Sequence, residues 1–304
     1  MSSPAWATMV RRTTDYMRGL EPLVKGFLCT ATWTVGARLT APGPTKQGRP
    51  GFLRVFGATS MTFCIGIKVA EGLIALADGR ITAGAQVTSA RKMSMHGQGN
   101  HQFMVMTSGL RSVRDKAVAY LEREMAAAAE PFPSMLDAVG AFCRCLRRVM
   151  AEDKAALTDG GLKFNLHAIL GGQLADDPEP TLFLVYPEGN WIQVDERTPY
   201  LAIGATAYGK PILDRALRPG TSMERALKIA YLSFDSSRVS SADVGFPLDM
   251  VSFAAVDRVW RSVQFADDDL SAERQWWNTH IKALVDTMPS GPWADELLPP
   301  RDWA

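Results

Sequence analysis

Four short segments put reactive side chains at the ends of extended runs: Met61-Thr62, Asp78-Gly79-Arg80-Ile81-Thr82, Arg91-Lys92 and Ser108-Gly109. A hydroxyl, a carboxylate and a lysine are among the groups from which nucleophilic catalysis is assembled. Singly, each segment has an ordinary reading. Threonine opens many strands, Asp-Gly makes turns, Lys92 suits a solvated edge, and Ser-Gly precedes many helices. Their joint order and spacing carry the signal. The commoner signatures are missing from the sequence. There is no His-Glu-x-x-His, no phosphate loop and no Gly-x-Ser-x-Gly, and His96, His101, His167 and His280 are scattered. Gly97-x-Gly99 lacks a third glycine and a following helix, so it reads as a hairpin turn.

The elements that must position these residues are patterned along the chain. Phe63, Ile65, Ile67 and Val69 alternate with Cys64, Gly66 and Lys68, which is the period of a strand. Glu71-Gly72 turns the chain into a buried strand over 73–77. Residues 91–95 and 103–107 predict a hairpin turned by Gly97-Gln98-Gly99-Asn100. Helices are predicted over 113–129 and 135–157. In the second, Leu136, Val139, Phe142, Leu146 and Val149 recur at helical spacing. Strands follow over 164–170, 181–186 and 191–194, then helices over 208–217 and 223–234. Strands over 250–256 and 259–265 and a helix over 270–285 complete the pattern. Two sheets packed face to face with helices outside would bury all of these apolar faces. The expected fold is therefore α+β, a four-layer αββα sandwich of two antiparallel sheets flanked by helices.

Composition bounds the remaining possibilities. The chain has 304 residues, 47% of them hydrophobic and 21% charged, enough for a large ordered core. No apolar run is long enough for a membrane span. Four cysteines are too few for a disulfide scaffold of this size and suit a reducing cytoplasm. Cys143 and Cys145, two apart on a predicted helix, face different sides, which argues against a metal or redox pair. The net charge of +1 hides a division, with residues 1–60 at +6 and the remainder at −5. An acidic body argues against general nucleic-acid binding.

Residues 1–60 show no sustained period, and 41–51 are dense in proline and glycine. Arg11-Arg12 is followed by Thr-Thr-Asp-Tyr instead of the apolar stretch of a secretory signal. The segment reads as a propeptide, a disordered arm or translated upstream sequence, and the last is preferred. The functional domain is then 61–304.

Met-Thr-Phe-Cys-Ile-Gly-Ile-Lys, Ala-Asp-Gly-Arg-Ile-Thr-Ala-Gly and Ala-Arg-Lys-Met resemble the catalytic β subunits of proteasomes, most of all their bacterial relatives of the Anbu type. Gly209-Lys210-Pro211-Ile212-Leu213-Asp214-Arg215, Leu232-Ser233-Phe234-Asp235-Ser236 and Val244-Gly245-Phe246-Pro247-Leu248-Asp249 strengthen the second match. The resemblance covers about 61–265. It implies a threonine peptidase of the N-terminal-nucleophile hydrolase class. Thr62 then stands at the nucleophile's position, Asp78, Arg80 and Thr82 at the acid, arginine and threonine ending the second strand, and Lys92 at the active-site lysine. Gly109 matches the glycine whose N–H points at the oxyanion, and Asp235 a supporting aspartate. Two departures leave the supporting hydroxyl open. Ala205-Thr206 stands where a serine is expected after Gly204, and Ser236, Ser237 and Ser240 all follow Asp235.

This chemistry needs no cofactor or metal. A peptide or unfolded protein would lie as an added strand beside Thr82 and Gly109. The resemblance also implies self-association into a ring or an open helix, with an unfoldase as a further partner, and neither nucleic acid nor membrane. A non-catalytic ring-forming subunit and an amidohydrolase acting on a small amide are the alternative readings.

Overall fold

In the computed structural model, which describes residues 62–83, 86–218 and 220–298, the alternation after Thr62 produces the expected strand. β1 (Phe63–Val69) turns at Glu71-Gly72 into β2 (Gly72–Asp78), all of whose residues are buried. Gly72 has φ +147°, and a Cβ there would lie 1.9 Å from the Phe253 carbonyl oxygen, so only glycine fits. β10 (Tyr200–Gly204) and β11 (Leu248–Ala254) flank this hairpin, and β12 (Val259–Phe265) forms the far edge, giving the order β10-β1-β2-β11-β12. The second sheet runs β5 (Met93–His96), β6 (Phe103–Gly109), β7 (Leu166–Gly172), β8 (Thr181–Val185) and β9 (Trp191–Gln193) in sequence order. Every pairing is antiparallel.

The pleat sorts side chains into layers, because successive residues of a strand point to opposite faces. Cys64, Leu73, Ala75 and Ala77 of the first sheet meet Met104, Met106, Ile169 and Leu182 of the second, and this is the middle of the sandwich. Phe63, Ile65, Ile67, Ile74 and Leu76 point outward onto α3 (Lys210–Ala216) and α4 (Met223–Ser240). On the other outer face, Phe103, Val105, Leu166 and Leu170 pack against α1 (Arg111–Ala127) and α2 (Met135–Asp159). The αββα sandwich is therefore present. α2 and α4 begin at serine caps, Ser134 accepting from the Asp137 N–H and Ser222 from the Arg225 N–H. α5 (Ser271–Thr287) and α6 (Trp293–Leu297) end the described chain. Among the described residues no helix is long and apolar enough to cross a membrane.

Some local expectations differ. Tyr200–Gly204 is a strand that the periodicity missed, since Tyr-Leu-Ala-Ile-Gly has no polar alternation at an edge covered on both faces. Arg80–Ala83 (β3) and Gln86–Ser89 (β4) form a separate two-stranded ribbon. The helix expected over 223–234 continues to Ser240, and the Ser237 hydroxyl donates back to the Ser233 carbonyl. Leu136 is exposed, and Met135 takes the buried place at the start of α2. Residues 1–60, read above as non-native or disordered, lie outside the described residues.

Candidate active site

Thr62 immediately precedes β1 and is only 2% exposed. Its carbonyl accepts a hydrogen bond of 2.6 Å from the Ala205 N–H, just past the end of β10. Gly204 makes this approach possible. It has φ +89°, and a Cβ there would lie 1.6 Å from the Thr62 carbonyl oxygen. One residue further, the Phe63 N–H donates to Asp78 Oδ1 at 2.8 Å. Lys92 Nζ donates to the same oxygen at 2.7 Å, and the Gly245 N–H reaches Asp78 Oδ2 at 3.3 Å.

Asp78 is fully buried and Lys92 is 7% exposed. Burial pushes the Asp78 carboxyl above its ordinary range, opposed by the Lys92 charge and hydrogen bond and by the Phe63 and Gly245 N–H groups. A buried ion pair of this kind is weak evidence for stability. Its two charges are nevertheless fixed in position beside Thr62. The backbone around them is pinned as well. The Gly79 N–H donates to the Pro247 carbonyl at 2.6 Å, and the Ala90 N–H to the Gly79 carbonyl at 2.9 Å. The Thr107 N–H donates to the Lys92 carbonyl at 3.0 Å, which ties the start of β5 to β6.

Arg80 serves the same framework. Its Nη1 donates to the Ala242 carbonyl at 3.0 Å, and a Cβ on Gly245 would lie 2.5 Å from its Nε. Glycine at 245 thus leaves room for the guanidinium while its N–H holds Asp78. Gly109 ends β6 with φ +134°, where a Cβ would lie 2.2 Å from the Asn165 carbonyl oxygen. Thr62, Lys92, Thr107 and Gly109 line one small pocket of about 40 Å³. A larger concavity of about 690 Å³ along α5 is lined by residues such as Arg274, Asn278 and Lys282. No hydroxyl there is backed by a buried ion pair, so the chemistry belongs to the smaller pocket. Cys64 lies two residues after Thr62, but burial raises its thiol far above the ordinary value against the opposing Lys92 charge, so it stays neutral. Among the described residues no three His, Cys, Asp or Glu side chains gather at metal-binding spacing.

The structure therefore brings Thr62, Asp78, Lys92 and Gly109 together, with Arg80 behind them. Thr82 lies on β3, paired with Val87. Asp235 is buried in α4, and its carboxylate is engaged by Arg238 at 2.7 Å, not by Lys92 or Thr62. Of the open hydroxyls, Ser237 is committed to the Ser233 carbonyl. Sequence reasoning missed Gly204 and Gly245 as site-building residues. Gly204 carried a signal, a glycine shortly before a predicted helix. Gly245 stood in a segment that strengthened the resemblance, but its contact with Asp78 could not be read without its neighbours in space.

A family model described as Proteasome, a proteasome subunit, matches residues 59–243. No curated protein matches the chain. Among solved structures, the helical assembly of the Anbu complex from Pseudomonas aeruginosa is similar at 31% identity and a TM-score of 0.71. That match covers 80% of this chain and all of the other. An Anbu (Gly-1) mutant from Hyphomicrobium sp. strain MC1 is 27% identical with a TM-score of 0.68, covering 76% of this chain and 99% of its own. Anbu (ancestral beta-subunit) from Yersinia bercovieri is 26% identical with a TM-score of 0.68 and the same coverage.

Proposed function

The chain belongs to the proteasome subunit family and is of its Anbu type, and on that premise we propose that it hydrolyses peptide bonds with Thr62 as an N-terminal nucleophile. The observation that carries this reading is the shared oxygen of Asp78. It accepts from both Lys92 Nζ and the Phe63 N–H, and so fixes a buried cation next to the first residue of β1.

A threonine hydroxyl is a weak nucleophile until a base removes its proton, and a free α-amine on the same residue does so. An unperturbed α-amine titrates at about 7.7–8.0, close to neutral pH, which suits a general base. Thr62 Oγ attacks the substrate carbonyl as its proton passes to the amine. The Gly109 N–H and the Lys92 cation stabilise the negative charge that develops. The amine returns the proton to the leaving nitrogen as the peptide bond breaks, leaving an ester on Thr62. Water, activated by the same amine, hydrolyses the ester and frees the hydroxyl. Asp78 holds the Lys92 ammonium group in place through their 2.7 Å hydrogen bond.

This mechanism requires a primary amine on Thr62. In the full chain that nitrogen is an amide bonded to Met61, and an amide nitrogen is no base. The residues before Thr62 are therefore removed, either by proteolysis of 1–61 or by trimming one methionine when translation starts at Met61. We further propose self-association into a ring or open helix. Exposed apolar side chains on α5, Trp276, Ile281, Leu284 and Val285 among them, support this. The test of the peptidase reading is digestion of a peptide library by the purified protein, with products identified by mass. Cleavage that disappears with Thr62→Ala supports it, and cleavage that persists in a well-folded Thr62→Ala protein overturns it.

A further inference from the structure

We propose that the pocket beside Thr62 selects an acidic side chain on the residue whose carbonyl is attacked, an inference that rests on the peptidase reading above. With the scissile carbonyl held between Thr62 and Gly109, the side chain of that residue is the one that reaches this pocket. Besides Thr62, Lys92, Thr107 and Gly109, the pocket is lined by Arg91, Arg111 and Arg114, with Ile81 and Ala90 as its apolar wall. Among the described residues no aspartate or glutamate lines it.

The charges around the pocket do not cancel. Lys92 is matched by Asp78 at 2.7 Å. Arg111 and Arg114 share a single carboxylate, Asp115, at 3.3 Å and 2.6 Å. Among the described residues Arg91 has no carboxylate partner. Three guanidiniums thus face one acid, which leaves a positive excess at the mouth. Arg114 is also fixed in direction, because its Nη1 donates to the Arg91 carbonyl at 3.0 Å, directly before Lys92. Arg111 opens α1, whose first turn contains no acid and whose N-cap, Leu110, offers no side-chain bond. The positive end of that helix dipole adds to the same field.

A carboxylate entering the pocket meets donors of fixed geometry and one sign of charge. A neutral amide gains less, and a lysine is repelled. The side chain of Arg111 is 67% exposed and that of Arg114 22%, so water screens much of the attraction. The expected preference for acid over its neutral isostere is roughly ten-fold, not a thousand-fold.

The experiment uses three peptides with a reporter amine as leaving group, identical except for Glu, Gln or Lys before the cleaved bond. Protein whose N-terminus at Thr62 has been verified is assayed at low and high salt. The expected kcat/KM order is Glu, then Gln, then Lys, with Glu about ten-fold above Gln and the gap narrowing as salt rises. Arg111→Glu, at an exposed helix start, should remove or reverse the Glu preference. Equal rates for Glu and Gln, or a preference for Lys, overturn the proposal while leaving the peptidase reading intact. Should none of the peptides be cleaved, the peptidase reading fails. Binding of the same peptides to the Thr62→Ala protein then decides the pocket's preference: tighter binding of the Glu peptide upholds it, and equal binding overturns it.

Discussion

At the Thr62 end of the sheets, Thr62, Asp78 and Lys92 are all nearly or wholly buried, and Asp78 accepts from Lys92 Nζ and from the Phe63 and Gly245 N–H groups. α5 is the opposite case: none of its residues is buried, and Trp276, Ile281, Leu284 and Val285 face outward. β12, which precedes it in the chain, pairs with β11 along its whole length, yet most of its residues remain exposed. In the first region polar groups sit inside, where each must be paired or cost free energy. In the second, apolar groups sit outside, where they gain nothing from the other described residues. The proposed peptidase chemistry would account for the first inversion, and the proposed assembly for the second. Substitutions in the two regions should therefore fail differently.

The largest effect is expected at Thr62. Thr62→Ala should reduce peptide hydrolysis by at least about a thousand-fold with an unchanged thermal melt, since it deletes the reacting atom of a group that works as a unit. Lys92→Ala should come next, at about a hundred-fold or more in kcat, because a fixed charge in a water-poor site has no ready replacement. Asp78→Asn leaves Lys92 buried without its counter-ion and should cost activity together with up to about 3–5 kcal/mol of stability in urea titration. Near-wild-type rates for either variant would erase the contrast between a chemically committed centre and an inert edge.

Leu284→Asp on α5 should do the reverse. Monomer stability should move by no more than about 0.5 kcal/mol, as for other exposed positions. Particle mass in light scattering should fall. A large loss of monomer stability with unchanged particle size would mean that α5 is part of the fold and not a docking face.

A smaller effect is expected at His96, away from the candidate site's named contacts. His96 is buried on β5, with Ser94 Oγ at 2.7 Å, the Glu122 carboxylate at 3.9 Å and the Phe103 ring alongside. Burial lowers its pKa below the ordinary 6.5, although Glu122 opposes the shift. The unfolded chain therefore takes up the proton before the folded one does. Stability contributed by neutral His96 is present above about pH 6.5 and is lost as the pH falls below it. His96→Gln should flatten that acid-side loss in urea titrations at pH 5.5 and 7.5. An unchanged pH slope would show that His96 does not drive it.

The sandwich was legible because β1 alternates with the period of a strand, β2 is a short apolar run after a turn, and the long helices carry a 3.6-residue stripe. Val139, Phe142, Leu146 and Val149 all point inward as their spacing required. The positions of Thr62, Asp78, Lys92 and Gly109 were legible because each closes or opens a patterned element. What the sequence withheld depends on contacts across the chain. Gly245 holds Asp78 from 167 positions away, and no local pattern announces that. Asp235 stands in a motif that matched a family pattern, but its carboxylate is engaged by Arg238 three residues on in the same helix. The ribbon of β3 and β4 is short and exposed along β4, so it offered no buried period to read.

The central claim is that the amine of Thr62 is the catalytic base. The most direct measurement compares peptide hydrolysis by two forms of the protein, one beginning at Thr62 and one retaining Met61. The form with the free Thr62 amine should turn over substrate, and the form with Met61 attached should be inactive until it is trimmed. Equal turnover by the two forms, with Met61 shown by mass to be still in place after the assay, would contradict the mechanism.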